Sequence, residues 1–525
     1  MAYYLGLDSS TQGLTAVVID TAAGRVVHQS SINFGADLPE YGSPQGFLPN
    51  PDPLVRHADP RLWAAALEAL LARLRREGVD LGGIAGLSGS GQQHGTVYLR
   101  RPFPVPPGQG ETLADAVGRA LTRPSAPIWM DSSTGQECRE IDLALGGADV
   151  VRRRSGSAAT ERFAGPQIRR FAKTDPAAYA RTELIHLVSS FMGSLLTGES
   201  APVDPGDGAG MNLLNLASGH WDADLLAATA PGLEARLPRL APSATVCGTV
   251  APWLVERFGL RVGTPVVVWS GDNPSSLIGV GGWQAGTAVI SLGTSDTCFA
   301  AMATPTVDPQ GYGHVFGNPA GGFMCLICFK NGSLAREQVK AAHGLSWGQF
   351  DGECLGATPP GNRGNLMLPY FVPEITPLVL RPGVRRQGEP AFVGGRDAAA
   401  DIRAIVEAQA MSMRLHSQWI GEVPSALRVT GGASRSDGIC QILADVFEAT
   451  VERLEVGNSA ALGAALRTAQ AVEGLSWHEL TGMFCRCDPG RRVAPRAAAA
   501  AAYRRLLPRY AALELEHLGA ARAER

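Results

Sequence analysis

One local pattern occurs twice in this chain, and it restricts the fold more than any other feature. Residues 3–7 read as a short apolar strand, Asp8-Ser-Ser-Thr-Gln-Gly13 as a polar turn, and residues 14–19 as a second strand. After a turn at 21–24, residues 26–34 alternate as a third. The order returns in the second half: a strand at 287–292, the turn Gly293-Thr-Ser-Asp296, a strand at 297–302 and another at 322–329. Helical spacing follows each copy. Residues 60–77 place Leu62, Leu67, Leu70, Leu71 and Leu74 on one face, and residues 334–343 and 399–419 are helical in the second half, the latter strongly amphipathic. A strand at 84–88 runs into the glycine-rich loop 89–95, and a strand at 427–430 opens through Gly431-Gly432 into a helix at 438–447.

Two such copies imply two similar α/β domains packed around a cleft. A chain of 525 residues also exceeds the ~250–300 at which a single core stops growing. The segment 252–263 reads as the boundary, with residues 266–269 entering the second core, so the expected domains are 1–258 and 259–525. The alanine run at 497–502 continues into helical spacing at 503–517, which predicts a closing C-terminal helix.

Charge and composition exclude several partner classes. The formal net charge is −3, and the longest basic run, Arg152-Arg-Arg154, reads as a solvated helix face. No nucleic-acid or membrane partner is expected. The N-terminus enters a strand directly, without the basic flank and apolar stretch of a signal peptide, and no segment offers the ~18 consecutive apolar residues of a membrane span. Nine scattered cysteines suit a reducing compartment, so a cytoplasmic location is expected. Cys325-Leu-Ile-Cys328 lies in an apolar run that reads as a buried strand, and Cys485 and Cys487 are too close for a zinc knuckle. A monomer or homodimer is the base expectation.

Five segments carry polar chemistry. The turns containing Ser10, Thr11 and Gln12 and Gly293 and Thr294 are rich in hydroxyls and backbone N–H groups. Either alone could be a plain hairpin; as a repeated pair they could grip the phosphates of a nucleotide. Asp8, at a strand end, could hold Mg²⁺, normally through water. Val429-Thr-Gly-Gly-Ala-Ser434 is a strand-to-helix turn where backbone can approach a flat ring. Asp272, in Gly271-Asp-Asn-Pro274, could be an acid, a base or a helix cap. It suits the carboxylate that takes a hydroxyl proton in phosphoryl transfer. His94, in Gln92-Gln-His-Gly95, could bond sugar hydroxyls or merely local backbone. Arg162 is equally open.

The segments Leu5-Gly-Leu-Asp-Ser-Ser-Thr-Gln12, Gly271-Asp-Asn273, Ser291-Leu-Gly-Thr-Ser295 and Thr430-Gly-Gly-Ala433 resemble the FGGY carbohydrate kinases from about residue 3 to residue 510. That resemblance implies an α/β fold of two duplicated actin-like (ribonuclease-H-like) domains flanking a central catalytic cleft, whose closure would exclude water. Within the family, Leu87-Ser-Gly-Ser-Gly-Gln-Gln-His-Gly95, Trp129-Met-Asp-Ser-Ser-Thr134 and Asp207-Gly-Ala-Gly-Met-Asn212 are most similar to members acting on D-xylulose, particularly the longer eukaryotic-type form. By that similarity the chain uses ATP and Mg²⁺ on a ketose. His94, Arg162, Asp272 and Asn273 bind the sugar, Asp272 is the general base, and Asp8 organises Mg²⁺. Trp347, Gly431, Gly432, Ala433 and Ser436 serve the adenosine, and Thr294 lies near the transferred phosphate. Another ketopentose or a polyol, or a non-catalytic sugar-binding regulator on the same fold, are the alternatives. Three departures stand out: Gln167 and Phe171 where the family carries Lys and Trp, Ser436 where the longer form carries Asn, and Pro373-Glu-Ile-Thr-Pro377 in place of a Gly-Glu-Arg-x-Pro loop.

Overall fold

The strand β1 (Tyr3–Ser9) is apolar on both sides because helices cover both sides of it. It begins a meander with β2 (Gly13–Asp20) and β3 (Arg25–Asn33) in the computed structural model, which describes residues 2–101, 103, 106–108, 110–454 and 457–523. Helix α1 (Pro60–Arg76), β4 (Ile84–Gly91), α2 (Val188–Thr197), β5 (Val246–Thr249), β6 (Pro265–Val267), β7 (Ser270–Gly271) and α3 (Asp272–Gly279) follow. Then come β8 (Thr287–Leu292), β9 (Asp296–Met302), β10 (Phe323–Phe329), α4 (Ser333–Ala342), α5 (Ala398–His416) and β11 (Ala426–Thr430). Helix α6 (Asp437–Phe447), β12 (Thr450–Arg453), α7 (Ser459–Glu473) and α8 (Ala497–Ala523) complete the set used below.

The chain divides into two units. The first holds Met1–Trp283, Val315–Met324 and Val456–Arg486; the second holds Gln284–His314, Cys325–Glu455 and Cys487–Arg525. In the first, the sheet order is β5-β6-β4-β1-β2-β3, with β7 also paired to β4. The meander β1-β2-β3 is antiparallel, whereas β4 runs parallel to β1, β6 and β7. Leu5 and Leu7 pack with α1 and α2 in one core, while Tyr4 packs with α3 and α7 in another. Between them Gly6 must lack a side chain, since a Cβ there would lie 2.0 Å from the Ala461 carbonyl oxygen of α7. Helix α1 starts cleanly because the Asp59 carboxylate accepts the Arg61 N–H and Pro60 fills the first helical position.

Helices α3 and α7 cross through two glycines. A Cβ on Gly279 would sit 1.9 Å from Ser459 O, and one on Gly463 would sit 1.8 Å from Ser275 O. One turn beyond that crossing, buried Arg467 donates to the carbonyls of Gly89, Val268 and Ser243, tying α7 to β4 and to the segments next to β5 and β6.

In the second unit the order β10-β9-β8-β11-β12 repeats this plan. The pair β8-β9 is antiparallel, β11 is parallel to β8, and β12 is parallel to β11. Helix α5 packs against α4, α6 and α8. The strong amphipathicity expected over 399–419 is not what α5 uses. The helix ends at His416, and its polar residues Asp401, Arg403, Glu407 and Gln409 are buried with partners. Arg403 Nε donates to Glu407 Oε1 at 2.6 Å, and Tyr503 of α8 donates to the same oxygen at 2.7 Å.

Two sequence expectations are corrected. The segment 252–263 does not separate the units, because β6 and β7 pair with β4 and so carry residues 259–283 into the first. Asp272 therefore belongs to the first unit and not to a domain spanning 259–525, and residues 266–269 complete the first sheet. The strand expected at 84–88 runs on to Gly91 because β7 pairs along it, and Gly89 passes where a Cβ would meet the Trp269 ring at 2.3 Å. Cys325 is buried on β10, as read from the sequence. Among the described residues no helix is long and apolar enough to cross a membrane.

The helix crossing makes a direct test. Gly463→Val should destabilise the protein by roughly 1–3 kcal/mol through overpacking, whereas Gly482→Ala, in a helix where a Cβ meets nothing within 4 Å, should leave the thermal unfolding midpoint unchanged or slightly raised. Calorimetric or fluorescence melts of the two variants read this out.

Candidate active site

The parallel strands of the first unit deliver their carboxyl ends to one place. Asp8 of β1 is in register with Ser90 of β4, and Ser270 of β7 is in register with the same Ser90. The Ser90 hydroxyl donates to Asp8 Oδ1 at 2.7 Å. Burial pushes the Asp8 carboxyl up to about 6, against the pull of that hydrogen bond. Two residues past Ser270, Asp272 opens α3. Gly271 is the N-cap, so the capping alternative for Asp272 does not hold, and its Oδ1 instead accepts the N–H of Asn273 at 2.8 Å. Burial, helped by the negative charge of Asp8, pushes Asp272 up to about 7, while the N–H groups of Asn273 and Gln93 act the other way.

The loop after β4 supplies the neighbouring polar groups. His94 sits at φ 73°, is buried, and stacks on Phe163 with ring centres 4.2 Å apart. Its Nδ1 lies 2.8 Å from the Gly210 carbonyl, which can only accept, so Nδ1 carries the proton and Nε2 keeps a lone pair. Burial, and then the Arg162 charge, hold this imidazole neutral, down at about 3. The Arg162 guanidinium lies 5.8 Å from the Phe163 ring centre. Gln93 does not offer its amide outward: its Nε2 donates to Gly206 O at 3.2 Å and its Oε1 accepts from Asn273 Nδ2 at 3.0 Å. Asn273 Nδ2 also donates to Asp272 Oδ1 at 3.0 Å. Asp207, fully buried and bonded by the Ser189 hydroxyl, is pushed well above the carboxylate range by burial, with Asp204 and Asp272 adding to it.

The hairpin between β1 and β2 is closed by Ser10, whose N–H and hydroxyl both donate to Gly13 O, at 3.0 and 3.1 Å. The Trp129 indole N–H donates to Thr11 Oγ1 at 2.8 Å. An indole nitrogen only donates, so the Thr11 proton is left to point elsewhere. Gln12 is exposed and fixes the hairpin through its carbonyl, which accepts the Phe34 N–H at 2.9 Å.

The second unit contains a cavity of about 520 Å³ lined by Gly293, Thr294, Trp347, Gly432, Ala433 and Ser436 among others. Gly431 stays outside the lining. It holds φ 91° against the end of β8, where a Cβ would lie 2.3 Å from Leu292 O. Gly432 has no atom within 4 Å of a would-be Cβ and leaves the backbone open to the cavity. The Gly293 turn is braced twice: Ser333 N–H donates to Gly293 O at 2.9 Å, and buried Arg336 pairs with both oxygens of Asp296 at 2.8 and 3.1 Å. The divergent loop 373–377 has a structural task here, since Glu374 accepts the N–H groups of Lys330 and Asn331 at 2.6 and 3.0 Å. Ser436 caps α6 and donates to Asp351 Oδ1 at 2.6 Å.

The sequence had therefore singled out residues that the structure gathers into two groups. Asp8, Ser10, Thr11, Gln12, His94, Arg162, Asp272 and Asn273 lie in the first unit, and Gly293, Thr294, Trp347, Gly431, Gly432, Ala433 and Ser436 in the second. The inward roles of Gln93, Asp207, Trp129 and Asp351 escaped it, because each depends on a partner far away in the chain. Of the divergent residues, Gln167 donates to Asp131 at 2.7 Å and Phe171 fills a core beside Tyr98 and Tyr179.

Comparison with known proteins agrees with this plan. Residues 107–279 match the N-terminal domain, and residues 288–472 the C-terminal domain, of the FGGY family of carbohydrate kinases. Xylulose kinase from Mus musculus is 38% identical over an alignment covering 98% of this chain and 95% of that protein. A solved xyloylose kinase from Brucella ovis superposes with a TM-score of 0.79 at 26% identity, covering 98% of this chain and all of that one. Gluconate kinase from Lactobacillus acidophilus reaches 0.83 at 20% identity over 98% of both chains, a likeness of fold alone. The duplicated actin-like architecture expected from the sequence is thus present, and with both halves matched in order and a full-length relative above a third identical, this chain belongs to the FGGY family of carbohydrate kinases.

Proposed function

We propose that the protein transfers the γ-phosphate of ATP to the C5 hydroxyl of D-xylulose, with Asp272 as general base. The observation that carries this reading is the position of Asp272 at the first turn of α3, beside Asn273 and the loop bearing His94. In the reaction the C5 oxygen attacks the γ-phosphorus, the bond from that phosphorus to the bridging β,γ-oxygen breaks, and ADP leaves. The hydroxyl proton passes to an Asp272 carboxylate oxygen. Neutral His94 offers Nε2 as an acceptor for a sugar hydroxyl, Arg162 supplies donors, and Asn273, whose N–H groups are committed to Gln93 and Asp272, offers its Oδ1 as a further acceptor. The nucleotide base would rest against Trp347 and the Gly431-Gly-Ala433 turn, with Thr294 near the transferred phosphate. D-xylulose is favoured because relatives matched over most of the chain are named xylulose kinase and D-xylulose kinase.

Mg²⁺ suits the donor set. Among the described residues there is no cluster of three His, Cys, Asp or Glu side chains, so direct multidentate ligation is not offered. Asp8 and Asp272, however, form a like-charged pair held above the usual carboxylate range. Asp8 would hold the ion through water, and the ion would supply charge neutralisation on the phosphates.

Three outcomes test the reading. In a coupled ADP-release assay over a panel of ketoses and polyols, D-xylulose should give the highest kcat/KM, and Asp272→Ala should lower kcat by about 10²–10⁴-fold. If another sugar wins, the mechanism stands and D-xylulose falls; if no sugar turns over although ATP binds, the protein is a regulator. His94→Ala should raise the sugar KM by about tenfold or more, from the loss of a buried hydrogen bond, with little change in the nucleotide KM. Because only the ionised carboxylate accepts a proton and Asp272 is pushed up to about 7, kcat/KM for the sugar should fall as pH drops below that value and level off above it. A flat profile from pH 5 to 8 would remove Asp272 as the base.

A further inference from the structure

Among the polar side chains that line the cavity of the second unit, which include Thr294, Arg336 and Arg435, the pair Ser436 and Asp351 has its hydrogen-bond polarity set by the protein. Ser436 Oγ lies 3.1 Å from the Ile439 N–H and 2.6 Å from Asp351 Oδ1. The amide can only donate, so the hydroxyl accepts there, and its single proton is committed to the carboxylate. Ser436 has no proton left for a ligand. Asp351 lines the same cavity and is solvent-exposed, and among the described residues its Oδ2 has no donor. This pair therefore presents an acceptor and no donor.

Around that acceptor the surfaces are flat and open. The Trp347 ring is 46% exposed and lines the cavity. Gly432 has no atom within 4 Å of a would-be Cβ, so a planar group can lie against its backbone. A flat heterocycle seated here meets an aromatic face, bare backbone, the Arg435 side chain and the Asp351 carboxylate, and it gains most when the edge facing Asp351 carries an N–H donor.

From this arrangement we infer that Asp351, held in place by Ser436, reads the exocyclic 6-amino group of the purine and thereby sets the base preference of the phosphate donor. The inference rests on the reading above that this cavity holds the nucleotide base. A purine with hydrogen at position 6 leaves the carboxylate unpaired, and one with a carbonyl there sets two acceptors against each other, so both are disfavoured.

The experiment compares ATP, purine riboside 5′-triphosphate and ITP as phosphate donors at saturating sugar, for the wild type, Asp351→Ala and Trp347→Ala, with ADP binding measured by calorimetry. The wild type should favour ATP over both analogues by about tenfold or more in kcat/KM, the scale of one charge-assisted hydrogen bond. Asp351→Ala should bring the three donors to within about twofold of each other while leaving the sugar KM unchanged. Trp347→Ala should weaken ADP and all three donors alike and keep the ratio. If Trp347→Ala weakens ADP but Asp351→Ala preserves the preference for ATP, the base-reading role is overturned while the nucleotide site stands. If neither substitution changes ADP affinity, the nucleotide reading of the cavity fails and the inference falls with it.

Discussion

The geometry of the first unit depends on two helices meeting without side chains between them. At the crossing of α3 and α7, Gly279 and Gly463 bring backbone against backbone, so α3 has almost no freedom to slide or rotate. Asp272 is the first residue of α3, and its carboxylate is aimed by the direction of that helix. Arg467 adds a second constraint from α7. Its guanidinium is buried, and its terminal nitrogens donate to the backbone carbonyls of Gly89 in β4, of Val268 between β6 and β7 and of Ser243 before β5. The energetic cost of burying a cation is offset by these backbone oxygens. Positioning of the reactive carboxylate is thus a property of packing beneath the site more than of the loop that carries it.

A second constraint passes through groups that can act in only one sense. A backbone carbonyl accepts and never donates, so Gly206 O orients the Gln93 amide, Gln93 Oε1 orients the Asn273 amide, and Asn273 Nδ2 bonds Asp272. Gly210 O likewise assigns the tautomer of His94. Both carbonyls belong to the stretch from Gly206 to Asn212. Its glycines bring the backbone close: a Cβ on Gly210 would meet the His94 ring at 3.0 Å.

The hairpins, the paired sheets and most helices were readable because their signals are local: alternation, turn residues and caps within a few positions. Most chemistry-bearing motifs were readable for the same reason, lying in glycine-containing turns at strand ends, whereas Arg162 lies just before a helix and Trp347 opens one. What was hidden depends on partners remote in the chain. The boundary at 252–263 looked convincing as a loop and helix start, yet β6 and β7 pair with β4, far upstream. The polar positions of α5 read as a solvated face, but Tyr503 and Glu407 satisfy Arg403 inside the second unit. The inward role of Gln93 shows only when Gly206 and Asn273 are brought to it. Asp351 had no signal at all, since it lies in a short π-helical turn whose link to Ser436 spans 85 positions of the chain.

The first unit is discontinuous in sequence, and this bears on how the chain is made. Helix α7, which covers Tyr4, Gly6 and the glycine of α3, is encoded after nearly all of the second unit's sheet. During synthesis at about 5–20 residues per second, the strand β1 emerges early and waits on the order of tens of seconds for the helix that seals one of its faces. Until then an apolar surface built to accept backbone at near-contact distance is open to water and to other nascent chains. Ribosome pausing or truncation between residues 283 and 456 would therefore leave a first unit that holds its strands but lacks one wall of its core, a natural substrate for chaperones.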